Sequence, residues 1–107
     1  MKKIKITVLK RTTMDDLINE YGRPGIGVCK AIEDGQVYYC ENGWSKPEGL
    51  CDSAWKSMME YVMTLAHGGG NFYNGFWNKP DIAIISCNDG LRPVIFKVEV
   101  DKVEEVS

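Results

Sequence analysis

The chain has 107 residues, 44% hydrophobic and 26% charged, and its thirteen basic and fifteen acidic residues leave a net charge of −2. That length reads as one domain, residues 1–107, burying roughly two-thirds of its unfolded surface in one core without staples. The slightly acidic balance argues against a nucleic-acid partner or an anionic membrane surface, and no stretch approaches the ~20 apolar residues of a membrane span.

In chain order, residues 3–10 come first. Ile4, Ile6 and Val8 alternate with polar residues, which predicts a half-buried strand. The basic cluster Lys2, Lys3, Lys5, Lys10 and Arg11 lies on its wet face. The apolar residues never form a continuous run, so this is not read as a secretory signal. Thr13 is the expected cap of a short helix, with Asp15 and Asp16 in the first turn, where the helix dipole favours acids. Leu17, Ile18 and Tyr21 form its apolar face, and Gly22 stops it. The loop GRPGIG follows, then two expected strands, residues 28–32 and 36–41, around an Asp34-Gly35 turn.

The longest predicted helix runs over residues 52–67, with Asp52 as N-cap. Its apolar stripe is Trp55, Met58, Met59, Val62 and Ala66. Gly68-Gly69-Gly70 ends it. Residues 71–81, NFYNGFWNKPD, form an aromatic-rich loop. Strands are expected over 82–87 and 94–100, and the acidic tail after Val103 is expected to fray. The order β-α-β-β-α-β-β predicts an α+β fold, a mostly antiparallel sheet with two helices packed on one face. A ferredoxin-like arrangement plus one strand and a small, partly closed barrel are the alternatives.

The last two strands flank Asn88-Asp89-Gly90. A two-residue turn would ask Pro93 for an N–H that it lacks; a four-residue loop, 88–91, avoids this. Both registers set Cys87 opposite Arg92, within reach across the strands.

Four stretches together resemble an uncharacterised family of small cytosolic proteins of bacteria and archaea. They are KITVLKR (Lys5–Arg11), Gly27-Val28-Cys29, PEGLCDSAW (Pro47–Trp55) and CNDGLRPVIFK (Cys87–Lys97), and they carry the patterns PEGxCxxAW and CxDGLRPV. The resemblance implies one shared design that includes Cys29, Cys51 and Cys87 but not Cys40 or His67. It supplies no reaction, ligand or partner.

Several residues could carry chemistry. With no C-x-x-C pair, the four cysteines are expected as free thiols in a reducing cytosol. Cys87 beside Arg92 would be a stabilised thiolate, with Asp89 shaping the turn; the plainer alternative is a buried, inert cysteine. Cys29, Cys51 and Cys87 could form a redox or metal site only by converging in the fold, because closely spaced ligand pairs are missing, and no metal or other cofactor is expected. The glycines after His67 follow a helix, whereas phosphate loops precede one. Phe72, Tyr73, Phe76 and Trp77 crowd one loop, and Trp44 sits in another. Loop aromatics are frequent binding anchors; the alternative is that this loop plugs the sheet.

Two functions are therefore expected. One is a soluble cytosolic binding or interaction module using its aromatic loops, as a homodimer, with a partner or with a small molecule. The other is a thiol-dependent redox or metal-binding protein using Cys87, Cys51 and Cys29. Whether the chain is an enzyme stays open, since a complete catalytic set is missing.

Overall fold

The computed structural model describes residues 1–102; the acidic tail expected to fray lies outside the described residues. The fold is α+β. Strands β1 (Ile4–Arg11), β2 (Val37–Cys40), β3 (Ile82–Ser86) and β4 (Val94–Val100) form an open antiparallel sheet in the order β2-β1-β4-β3. Helix α1 (Asp15–Tyr21) follows β1, and α2 (Asp52–Ala66) lies between β2 and β3. No helix among the described residues is long and apolar enough to cross a membrane.

Alternation puts Ile4, Ile6 and Val8 of β1 on the same face as Val94, Phe96, Val98 and Val100 of β4, all buried. Helix α2 covers that face with Ala54, Trp55, Met58, Val62, Leu65 and Ala66. The expected stripe is right except at one shoulder: Met59 is exposed and Leu65 is buried in its place. The other sheet face carries Lys5, Thr7, Tyr39, Ile84, Lys97 and Glu99, and no helix of the described residues packs on it. There Lys3 sits 4.6 Å above the Tyr39 ring, and Lys97 pairs with Glu99 at 3.2 Å.

Both helix starts differ from the sequence expectation. Met14 is the N-cap of α1 and Cys51 that of α2, and neither makes a side-chain cap bond. The Thr13 hydroxyl donates to Asp15 at 2.7 Å, and Asp52 is drawn to Lys46 at 2.7 Å. The Lys46 ammonium holds the Asp52 carboxyl below its ordinary range, first through that hydrogen bond and then through its charge. The expected apolar face of α1 is not fully buried: Leu17 and Tyr21 are exposed and Ile18 is half-buried. Backbone bonds tether the approach to α1: Thr12 N–H donates to Pro93 O and Met14 N–H to Leu91 O.

The strand expected at residues 28–32 does not form. Arg11, at the end of β1, takes its place as organiser. One guanidinium nitrogen donates to the carbonyls of both Cys29 and Ile32 at 3.1 Å, and Nε donates to Asp34 at 3.1 Å. Carbonyls that a hairpin ladder would use are thus satisfied by a side chain. The Asp34-Gly35 turn feeds β2 directly onto β1, with Gly35 N–H donating to Val8 O and Val8 N–H to Gln36 O. Replacing Arg11 with Lys should remove this fork while keeping the charge. The expected loss is about 1–2 kcal/mol in urea unfolding, with faster amide exchange concentrated in residues 28–35.

Candidate functional site

The loop after α2 begins with a close approach. A Cβ on Gly70 would lie 2.3 Å from the Pro80 carbonyl oxygen, so only glycine fits there. The next residue, Asn71, donates its N–H to the same oxygen at 2.6 Å. That bond closes the neck of a loop from 71 to 80. Within it the backbone turns tightly through left-handed conformations at Asn71, Tyr73 and Asn74, with φ of 52°, 53° and 56°, before Gly75 at 87°. Left-handed non-glycine residues cost roughly 1–3 kcal/mol each and persist where their surroundings over-determine them.

Aromatic contact is that surrounding. Trp77 is the hub, with ring centroids 5.6 Å from Phe76, 5.8 Å from Tyr73, 6.1 Å from Phe72 and 6.3 Å from Tyr61, all edge-to-face. Tyr61 comes from the flank of α2 and packs on Phe72 at 4.9 Å. Its hydroxyl shares a 2.6 Å hydrogen bond with that of Tyr73. That bond, then burial, then the neighbouring charges of Tyr73 and Glu60 push the Tyr61 phenol above its ordinary range. The inner rings Tyr61, Phe72 and Trp77 lie against the core. The outer rings stay in solvent: Tyr73 is 69% exposed and Phe76 73%. The loop therefore both plugs the core and displays an aromatic knuckle.

Of the aromatic candidates, Tyr73, Phe76 and Trp77 come together and Trp44 does not. Trp44 is exposed on a separate turn, where the Asn42 side chain accepts the N–H groups of Trp44 and Ser45. Tyr61 was not among the expected site residues. Its signal was its place three residues after Met58, at the edge of the buried stripe, one turn from the loop.

The thiol candidates separate. The β3–β4 register runs Ser86↔Ile95, so Cys87 meets Val94, not Arg92, and the connection is six residues, 88–93. Cys87 is half-buried, and its Sγ accepts the Val94 N–H at 3.3 Å. Pro93, with no N–H, uses its carbonyl to hold Thr12. Arg92 folds back onto Asp89, Nε to Oδ2 at 3.3 Å. Asp89 does shape the turn, because Oδ1 accepts the N–H groups of Leu91 and Arg92 at 2.9 and 3.1 Å. Cys29 is half-buried, Cys40 buried and Cys51 exposed. Among the described residues no three Cys, His, Asp or Glu side chains gather as a metal site would require. His67 closes α2, its Nδ1 against the Met63 carbonyl at 2.8 Å.

No family model matches the chain, and no curated protein or solved structure matches it.

The two backbone N–H groups, then the Arg92 side chain, hold the Asp89 carboxyl below its ordinary range. The folded pKa is lowered, so the stabilisation is complete above the unfolded value of ~3.9 and is lost as pH falls through the folded one. Asp89→Ala should therefore be about 1–2 kcal/mol less stable than wild type at neutral pH. That gap, followed by urea unfolding, should narrow steadily below pH 4.

Proposed function

We propose that this chain is a small binding or interaction module that works through its aromatic knuckle. The observation that carries this reading is the exposure of Tyr73 and Phe76, 69% and 73%, on rings held in place by Trp77. A large side chain fixed before binding loses little conformational entropy on contact, which is why rigid aromatics dominate binding hot spots. The left-handed turn and the closed neck supply the fixing. The thiol-dependent reading, through Cys87, Cys51 and Cys29, has no comparable gathering of side chains behind it. A cytosolic setting with four free thiols fits the module, and a second copy of the chain is one form its partner can take.

We further propose membership of the uncharacterised family that the four stretches resemble. Those stretches coincide with β1, the segment under Arg11, the entry to α2 and the β3–β4 connection. They build the frame and leave out the knuckle, so the partner is expected to be particular to chains that carry FYNGFW.

The outer and inner rings separate binding from folding. Trp77→Ala should lose about 2–4 kcal/mol of stability, because it removes the hub. Phe76→Ala should unfold at the wild-type denaturant midpoint. Equilibrium sedimentation and retention of cellular proteins on the immobilised chain should then show self-association or retained partners for wild type and their loss in Phe76→Ala. Identical behaviour of the two proteins would rule the module out.

A further inference from the structure

Beside the knuckle lies a groove of about 220 Å³, between the outer flank of α2 and the turn at Phe72. It is lined by Glu60, Tyr61, Thr64, Phe72 and Tyr73. We infer that this groove takes the cationic end of a basic side chain, a Lys ammonium or an Arg guanidinium, carried by a partner peptide that docks on the knuckle. The inference rests on the proposed binding role and adds to it the chemistry of what is bound.

Rings, an acceptor-only hydroxyl and a carboxylate in the lining favour positive charge. Three aromatic rings stand at steep angles to one another or are tied by their hydroxyls, Tyr61 to Phe72 at 61° and Tyr61 to Tyr73 through the 2.6 Å bond. Ring faces attract cations through their quadrupoles, most strongly where several converge. The Thr64 hydroxyl spends its proton on the Glu60 carbonyl at 2.8 Å, so it offers the groove lone pairs only. Glu60 adds a full negative charge, and it makes no ion pair among the described residues. No basic side chain lines the groove. A neutral apolar group would fill the space but leave the carboxylate unanswered, whereas a basic side chain lays its methylenes on the rings and its head at Glu60.

The source is a peptide rather than a free amine because the groove is open and continuous with exposed rings. A lone small cation would gain only the groove, while a peptide also covers the exposed Phe76 ring, whose centroid is 6.3 Å from that of Tyr73. The two contacts reinforce each other in one chain.

The test uses the full-length protein and four probes: capped five-residue peptides with a central Arg, Lys or norleucine between two Leu residues, and free ethylammonium. Binding is followed by the amide resonances of residues 60–64 and 72–73. The Arg and Lys peptides should bind about tenfold more tightly than the norleucine peptide. Glu60→Gln, an exposed helix position, should cut that preference to the smaller part the rings supply, while the norleucine peptide binds as before. Equal binding of the three peptides, or a preference that Glu60→Gln leaves undiminished, would overturn the inference. So would ethylammonium binding as tightly as the Lys peptide, since the source would then be a free amine. If Phe76→Ala weakens all three peptides while no charge preference exists, the groove fails and the module stands. If none of the three peptides binds and Phe76→Ala changes nothing, both fail.

Discussion

The ladder between β1 and β4 joins the first strand of the chain to the last and sits at the centre of the sheet. Every other element depends on it. Among the described residues β2 pairs only with β1 and β3 only with β4, and α2 rests on the apolar face that the two central strands share. Bringing distant ends together carries a loop-closure cost that local contacts do not. The return comes from Ile4, Ile6 and Val8 meeting Val100, Val98 and Phe96 in register, all fully or almost fully removed from water. Folding of such a topology is expected to be slower than that of a helical chain of equal length.

Around that centre, much of the chain is irregular yet well determined. The means is the same in three places: a polar side chain or a close backbone approach satisfies groups that a strand or helix would otherwise satisfy. Arg11 collects the carbonyls of Cys29 and Ile32. Asp89 collects the N–H groups of Leu91 and Arg92. The Pro80 carbonyl, against Gly70, takes the N–H of Asn71. Buried or half-buried backbone polar groups need partners wherever they lie, and these three devices let long connections stay ordered. The aromatic knuckle is the product of the third. Its outer rings keep their positions because the neck and the Trp77 hub fix the turn beneath them.

The regular elements were legible because their periods are strong. β1 and β4 alternate cleanly, and α2 carries a stripe broad enough to mark its buried face even with Met59 and Leu65 exchanged. The misread parts are those decided by contacts from far along the chain. Residues 28–32 have the composition of a strand, but a guanidinium from β1 claims their carbonyls. Cys87 was matched with Arg92 because turn rules favour short loops; Asp89 instead builds a wider connection, and the Pro93 carbonyl turns to Thr12. The aromatic loop was visible as composition, and its role as a cluster depended on Tyr61, which belongs to a helix and only on folding meets Phe72 and Trp77. Glu60 and Thr64 gave no signal, since a charged and a polar residue on a helix flank look like ordinary solvated positions.

The sheet ends on β3, whose five residues, IAIIS, contain no charge. One side of this strand is bonded to β4, and the other has no strand partner among the described residues. Such an edge is a template for a further strand, and uncharged, β-prone edges are where folded proteins most readily aggregate. The chain restrains this one by punctuation. Pro80 stands just before it, the Lys102–Asp81 pair at 2.7 Å places charge at its entrance, and the wide Asp89 turn bends the chain away at its exit. Protection of this edge against a further strand thus falls to a few residues at the two ends of one short strand.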